Sequence, residues 1–143
     1  MIEVARVSAE SRVAPAFFYA RWSDLATHHE WSASMEYLRL HEPLAVGATG
    51  VSKAKGGTPT PFVVTTLEPG VAYADMTLLR GARLTVHHEA RPRGTGSRLV
   101  VHAYLQGRRA RRWAREMGDD VQRSLEIDLA QLVALTERTV PAP

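Results

Sequence analysis

Residues 82–106 have the sequence ARLTVHHEARPRGTGSRLVVHAYLQ, in which two alternating runs flank a glycine-rich turn. Leu84 and Val86 share one face of the first run, and Leu99 and Val101 share one face of the second. Successive side chains of a strand point to opposite faces, so a period of two indicates a strand with one covered face. The stretch therefore predicts an antiparallel hairpin whose apolar side packs against another layer.

The covering layer is predicted immediately downstream, in residues 108–138. Apolar residues recur there every three or four positions, which is the period of an amphipathic α-helix; they are Trp113, Met117, Val121, Leu125, Leu132 and Leu135. A helix of about thirty residues is ~45 Å long, enough to cross a whole sheet. We therefore expect a long C-terminal helix over the covered face of the hairpin.

The rest of the sheet is predicted upstream. Residues 2–13 alternate loosely as a first strand, and Pro15 then opens the first of two short helices, the second ending near Glu30. Four further strand-length runs, separated by turns rich in Gly and Pro, occupy residues 35–44, 47–54, 61–67 and 71–79. Short connections favour an antiparallel meander. The prediction is an α+β fold with a seven-stranded curved antiparallel sheet.

Length and composition indicate one domain. The chain has 143 residues, of which 45% are hydrophobic, so residues 1–143 are predicted to form a single domain. No run approaches the roughly 18 apolar residues of a membrane span, and the N-terminus lacks a signal peptide pattern. These features predict a cytoplasmic protein without a membrane partner. The absence of Cys excludes disulfides, thiolate metal sites and thiol nucleophiles.

The positive charge of the chain is concentrated at the start of the predicted C-terminal helix. The net charge is +3, and a cluster of five arginines accounts for much of the basic excess: Arg108, Arg109, Arg111, Arg112 and Arg115. Positive charge opposes the dipole at a helix N-terminus, which is consistent with an anionic partner. We favour the alternative that these side chains are solvated and cover apolar surface. No nucleic-acid partner is predicted, because only Tyr104 offers an exposed aromatic ring for stacking.

The order of the predicted elements resembles that of the START-related ligand-binding superfamily (SRPBCC), which has the helix-grip fold. The details are similar to the polyketide cyclase/dehydrase-like branch of that superfamily. The resemblance covers nearly all of residues 2–138, and its local signatures are Ala14-Pro15-Ala16-Phe17, Asp24, Trp31, Val46-Gly47 and Gly94-Thr95-Gly96-Ser97-Arg98-Leu99.

The resemblance implies a cavity between the sheet and the C-terminal helix that holds an apolar small molecule. The chemistry of the superfamily varies from polyketide cyclisation to the carriage of ligands, so the resemblance leaves open whether this protein is an enzyme. No cofactor is expected, since nucleotide-binding motifs are absent. The residues predicted to line the cavity are Trp31, Phe62, Val64, Met76, Leu84, Val86, His88, Val101, Trp113, Met117 and Val121.

His88 is the first candidate for a catalytic residue. The alternation of its strand places the imidazole on the covered face, where it could polarise a ligand carbonyl or act as a general base. The alternative, which we favour, is a structural histidine bonded to a neighbouring hydroxyl or backbone group.

A second polar group lies in residues 71–79. Its alternation allows either of two sets to face inward, and apolar content favours the set with Ala72, Ala74, Met76 and Leu78 over the set with Tyr73, Asp75, Thr77 and Leu79. If the second set faced inward, Asp75 would join His88 at a polar end of the cavity, where a carboxylate could transfer protons as in ketosteroid isomerase.

Two His-His-Glu runs, at residues 28–30 and 87–89, do not predict a metal site. Adjacent residues on a strand point to opposite faces, and adjacent residues on a helix diverge by about 100°, so neither pair can chelate an ion alone. The alternative is a composite site with one His of each pair and Glu30 or Glu89, for which the sequence has no spacing of the zinc type.

The leading hypothesis for the function is a binding protein or cyclase for a hydrophobic, cyclic molecule. The alternative is an interaction module with a filled core, acting through a homodimer surface or the arginine cluster. A cavity above about 300 Å³ would favour the first.

Overall fold

The computed structural model describes residues 1–142, so Pro143, the last residue of the predicted domain, lies outside the described residues. Seven strands, two α-helices and one 3-10 helix follow one another along the chain. Their order is β1 (Ile2–Ser11), α1 (Pro15–Ser23), the 3-10 helix (Leu25–Glu30), β2 (Met35–Leu40), β3 (Thr49–Ala54), β4 (Thr60–Glu68), β5 (Ala72–Leu79), β6 (Ala82–Arg93), β7 (Gly96–Gln106) and α2 (Ala110–Thr139).

The strands form one antiparallel sheet in the order β1-β7-β6-β5-β4-β3-β2. Strands β2 to β7 are a meander, and β1 joins it at the β7 edge. The long helix α2 packs against the curved sheet, and the predicted α+β helix-grip fold is confirmed. None of the helices within residues 1–142 combines the length and the apolar composition needed to cross a bilayer.

The predicted strand over residues 35–44 is too long, because β2 ends at Leu40. The chain turns there: the backbone N–H of His41 donates to the carbonyl of Thr49, and the Glu42 carboxylate accepts from the hydroxyl of Thr49. The strands of the hairpin, predicted over residues 82–91 and 98–106, are longer than predicted, because the pairing of β6 and β7 continues to Arg93 and Gly96.

The core consists of two apolar clusters under α2. The smaller cluster, which we call the closed end, is made of six buried residues: Ala5, Ala82, Leu84, Ala103, Leu105 and Ala110. The larger cluster surrounds α1 and includes Phe18, Trp22, Trp31 and Phe62. Because Val86 packs against both clusters, the core is continuous along the sheet.

The start of α2 is held by a close backbone approach. A Cβ at Gly107 would lie 2.7 Å from the carbonyl oxygen of Gly81, and Gly107 has a φ of +116°, so only glycine fits without strain. The N–H of Arg109 then donates to that same carbonyl oxygen of Gly81 at 3.0 Å. The turn between β7 and α2 thereby anchors the helix at the closed end.

The end of α2 is held by Arg12, which follows β1. Its guanidinium donates to the carbonyl oxygens of Glu137 and Val140, which belong to the last turn of α2 and its cap. Positive charge is favourable at the C-terminus of a helix, where carbonyl oxygens lack partners. Both ends of α2 are thus bound to the rest of the fold, and the helix crosses the sheet between them.

Candidate functional site

A cavity of about 470 Å³ lies between the sheet and α2. This volume is within the range of small-molecule sites, which begins at about 300 Å³. Residues of every strand except β1, of α1, of the 3-10 helix and of α2 contribute to it, together with Trp31 and Ser34. The lining residues are Trp22, His28, Trp31, Ser34, Met35, Leu38, Ser52, Ala54, Phe62, Asp75, Thr77, Val86, His88, Val101, Met117, Asp120, Val121, Ser124, Leu125, Asp128, Leu129 and Leu132.

The cavity opens between the middle of α2 and the β2–β3 hairpin. Three lining residues in this region are exposed to solvent: Asp120 on α2, Ser34 just before β2, and Ala54 at the end of β3. The opposite walls are buried and apolar, with Phe62 on β4 and Leu132 on α2 almost completely enclosed. The site is thus a pocket with an apolar interior and a more polar opening.

Seven of the eleven predicted cavity residues line this pocket. They come from three strands, from α2 and from Trp31, which follows the 3-10 helix. Whether they contact a ligand stays a prediction. These residues are Trp31, Phe62, Val86, His88, Val101, Met117 and Val121.

The other four predicted residues lie elsewhere. Val64 is completely enclosed in the larger cluster, and Leu84 belongs to the closed end. Trp113 also packs at the closed end, where its indole Nε1–H donates to the carbonyl oxygen of Arg80 at 2.8 Å. Met76 is on the outer face of β5, because its neighbours Asp75 and Thr77 line the pocket.

The prediction that the alanine set of β5 faces the pocket is therefore wrong. Register explains the outcome: Asp75 pairs with Val86 and Tyr73 pairs with His88, and directly paired residues of neighbouring strands share a face. The strong apolar pattern of β6 thus fixes the face of β5, whose own pattern is ambiguous. A polar side chain is accommodated because the cavity leaves space beside it.

The half-buried Asp75 and the buried Tyr73 form a polar pair at the pocket. The Tyr73 hydroxyl donates to Oδ2 of Asp75 at 2.7 Å. Burial raises the pKa of Asp75 to about 6, and the hydrogen bond from Tyr73 opposes only part of this effect. Burial and the neighbouring carboxylate raise the pKa of Tyr73, which therefore stays a phenol. Asp75 is left with a pKa close to neutrality, as in many general acids and bases.

His88 sits beside this pair with its ring between two aromatic side chains. Its centroid is 5.3 Å from that of Trp22 and 5.7 Å from that of Tyr73. Nδ1 lies 3.2 Å from the carbonyl oxygen of Tyr73. Burial is the main cause that lowers the pKa of His88 to about 3, so the ring is neutral. Since a carbonyl can only accept, Nδ1 carries the proton and Nε2 is an acceptor.

The geometry of His88 has features of both a structural histidine and a pocket residue. The bond to the Tyr73 backbone is the one expected of a structural histidine, yet the ring also lines the pocket. The conditional polar end made of Tyr73, Asp75 and His88 is present. Its role in catalysis stays a prediction.

His28 is a pocket residue that the sequence analysis considered only as part of a His-His-Glu run. It belongs to the 3-10 helix, its ring centroid is 4.1 Å from that of Trp31, and burial lowers its pKa to about 4. A short 3-10 helix has no clear apolar period, so no pattern indicated its face. Among residues 1–142 no three His, Cys, Asp or Glu side chains are grouped so that they could hold a metal ion.

Three polar residues of α2 were also missed. Asp120, Ser124 and Asp128 recur every four residues and line the pocket. Oδ2 of Asp128 accepts a hydrogen bond from Ser32 at 2.8 Å, and burial raises the pKa of Asp128 to about 6. The four-residue spacing could have revealed this stripe, because it places the three side chains on one side of the helix.

No family model matches this sequence, and no curated protein matches it. Solved structures do match. The ZhuI aromatase/cyclase from Streptomyces sp. R1128 has 16% sequence identity and a TM-score of 0.78, with 96% of this chain and 95% of that chain covered.

Two other structures show the breadth of the similarity. The di-domain ARO/CYC StfQ from the steffimycin biosynthetic pathway has 13% identity and a TM-score of 0.75, with 96% of this chain and 51% of that chain covered. Ara h 8.0201 has 11% identity and a TM-score of 0.75, with 94% and 97% covered. Identities this low show a shared fold, and the helix-grip fold of this chain is the one these proteins have.

Proposed function

We propose that this protein binds a hydrophobic, cyclic small molecule in the pocket between the sheet and α2. The observation that carries the proposal is the cavity of about 470 Å³ with apolar walls and an opening to solvent. Protein interiors are close-packed, so a core that served stability alone would leave only voids of about the size of a water molecule. A space of this size is best explained as room for a ligand.

The names of two structural neighbours support a cyclic ligand. ZhuI is an aromatase/cyclase, and StfQ is a di-domain ARO/CYC of a biosynthetic pathway. The aromatic walls of the pocket, with Trp22, Trp31 and Phe62, are suited to flat rings, since ring pairs gain energy beyond their buried area.

Cyclisation or dehydration of the ligand is the finer form of this proposal. Both reactions need a group that takes up and returns a proton near neutral pH. Asp75 has this property, because burial places its pKa at about 6, and it lies on the pocket wall. His88 stays neutral and would orient the ligand by accepting a hydrogen bond at Nε2. Simple carriage of the ligand requires none of these steps.

The alternative function, an interaction module with a filled core, is less well supported. A cavity above about 300 Å³ is the outcome that favours ligand binding over a packed core. The five arginines at the start of α2 are exposed, and Arg112 bonds Glu116 within the same helix at 3.0 Å. This arrangement agrees with the solvated interpretation of the cluster, and a homodimer stays a prediction.

The proposal is tested by native mass spectrometry of freshly purified protein and by thermal unfolding with a panel of sterols, fatty acids and aromatic polyketides. A bound ligand stabilises the native state by RT ln(1 + [L]/Kd), about 2.7 kcal/mol at a hundredfold excess over Kd. We expect a co-purified apolar mass, or a concentration-dependent rise in Tm with at least one compound. If no apolar mass co-purifies and no compound raises Tm, the pocket is not a binding site.

A matched pair of variants locates the binding. Ser124 lines the pocket on α2, whereas its neighbour Arg123 is exposed and does not line it. Ser124→Trp should fill the pocket and abolish the rise in Tm, and Arg123→Trp should retain it. Equal binding by both variants would place the ligand elsewhere.

A further inference from the structure

We infer that the ligand of this pocket carries a protonated amine, which Asp75 and Asp128 bind as a cation. The inference rests on the proposed function and adds the chemical class of the ligand's polar end. It comes from the charged groups of the pocket, which are carboxyl groups only. The indole N–H groups of Trp22 and Trp31, which have no hydrogen-bond partner among the described residues, can bind an acceptor elsewhere on the same ligand.

No lysine or arginine among residues 1–142 lines the pocket. Its titratable residues come from four elements: His28 on the 3-10 helix, Asp75 on β5, His88 on β6, and Asp120 and Asp128 on α2. Burial lowers the pKa of both histidines, to about 4 for His28 and about 3 for His88. At neutral pH the pocket therefore holds three carboxyl groups and no positive charge.

Asp75 is the innermost of these carboxyl groups. Oδ2 accepts from the Tyr73 hydroxyl, while Oδ1 has no hydrogen-bond partner within residues 1–142. A carboxylate has about four acceptor sites, and burying one without an opposite charge is unfavourable. Because Asp75 lines the pocket, a ligand can reach the free oxygen. An ammonium group would supply both the missing charge and the missing donor.

His88 gives a second, independent indication of a donor on the ligand. The side chain is only 7% exposed and lines the pocket. Its Nδ1–H is used by the carbonyl of Tyr73, and no described residue bonds Nε2. The neutral ring thus presents an acceptor that only a donor can satisfy. An ammonium group, which has three N–H donors and no lone pair, can donate both to this acceptor and to the carboxylates.

The carboxyl groups of α2 continue this pattern toward the opening. Asp128 retains Oδ1 after Ser32 has bonded Oδ2, and Asp120 lies at the exposed rim. A cleft lined by charge of one sign raises the local concentration of oppositely charged ligands. The arrangement favours entry of a cation and opposes a ligand that ends in a carboxylate or phosphate.

The test compares three ligands with the same rings and different polar ends: 2-(1-naphthyl)ethylamine, 2-(1-naphthyl)ethanol and 3-(1-naphthyl)propanoic acid. Titration calorimetry at pH 7.5 should show the amine binding about tenfold more tightly than the alcohol, and the acid binding most weakly. The alcohol controls for ring burial, because it has the same apolar part without the charge.

Two variants assign the preference to residues, and a third is the control. Asp75→Asn and Asp128→Asn should each reduce the ratio of amine to alcohol affinity by several-fold, and the double variant should bring it to about one. Asn at position 75 can still accept from Tyr73, which protects the fold. Asp119→Asn removes the same charge from an exposed position of α2 outside the pocket, and it should leave the ratio unchanged.

The ratio should also fall between pH 7.5 and pH 5, since Asp75 and Asp128 have a pKa of about 6 and become protonated while the amine stays charged. His28 and His88, which face the same pocket, remain neutral over this range. Equal binding of amine and alcohol at pH 7.5 would overturn the inference and leave the proposed function intact. If neither this series nor the wider panel binds, the proposed function fails with it.

Discussion

The two ends of the space beneath α2 are built from different side chains. At the closed end four of the six buried residues are alanines, and Gly107 brings the first turn of the helix directly against the sheet. Around the pocket the walls carry large rings, including Trp22, Trp31 and Phe62. The same sheet and helix thus form a packed core at one end and a cavity at the other. Small side chains allow backbones to approach, whereas large ones on separate elements hold them apart.

The largest expected effect comes from enlarging one residue at each end. Ala103 and Val101 lie on the same face of β7, but Ala103 belongs to the closed end and Val101 lines the pocket. Ala103→Leu should lower the free energy of unfolding by about 3 kcal/mol or more, since overpacking strains a filled core. Val101→Leu should cost less than about 1 kcal/mol because the pocket has space. Chemical denaturation measures both, and equal losses would contradict the comparison.

His88 should make the stability of the pocket end depend on pH. Its pKa is about 3 in the folded protein, below its ordinary value of 6.5, so between these values the unfolded chain binds the proton more readily. The wild-type protein therefore loses stability as pH falls from about 6.5 toward 3. His88→Asn, which can still donate to the Tyr73 carbonyl, lacks this loss. When the pH is lowered from 7 to 4.5, the free energy of unfolding of the variant should rise by about 2–3 kcal/mol relative to that of the wild type.

The control for His88 is a variant at the closed end, where none of the six buried residues titrates. The free energy of unfolding of Leu105→Val should differ from that of the wild type by the same amount at pH 7 and pH 4.5. A constant difference for His88→Asn as well would mean that the imidazole is not held neutral by burial.

Asp75 should have the opposite dependence on pH. Its pKa of about 6 is above the ordinary value of 3.8, so the folded protein binds the proton more readily and loses stability as pH rises from about 4 to 6. Asp75→Asn is neutral throughout. When the pH is raised from 4.5 to 7, the free energy of unfolding of the variant should rise by about 1–2 kcal/mol relative to that of the wild type. Urea denaturation at the two pH values is the measurement, and a variant that loses relative stability on this change would contradict the burial of the charge.

The smallest effect is spectroscopic and uses one tryptophan at each end. Trp31 lines the pocket, whereas Trp113 is fixed at the closed end by its bond to Arg80. A ligand should change the polarity around Trp31 and leave Trp113 nearly unaffected. Trp31→Phe should therefore remove much of the change in emission on ligand binding, and Trp113→Phe should retain it. The reverse result would place the ligand at the closed end.

Part of the pocket could be predicted from local pattern. The alternation of β6 and β7 identified Val86, His88 and Val101, and the helical period identified Met117 and Val121. Trp113 lies on the same apolar stripe of α2 but outside the pocket. Periodicity defines the face of an element, and it contains no information on how far along the sheet the helix and strands begin to separate.

The polar groups of the pocket were harder to predict. Asp75 was assigned to the outer face because alanine counted as apolar, although a small side chain carries little weight in deciding which face is buried. His28 and Asp128 had no partner in the local sequence that indicated a site. Their environment arises from Trp31 and Ser32, which bring the 3-10 helix and α2 together across about a hundred residues of chain.

The amino-acid sequence by itself determined the order of strands and helices, the covered faces of β6, β7 and α2, and the absence of thiol chemistry. These properties depend on neighbouring residues, through backbone periodicity and side-chain type. The tertiary structure alone decided the face of β5, the position of the pocket and the pKa values of Asp75 and His88. Strand register, helix position and burial depend on contacts between distant segments, so they exist only once the chain has folded.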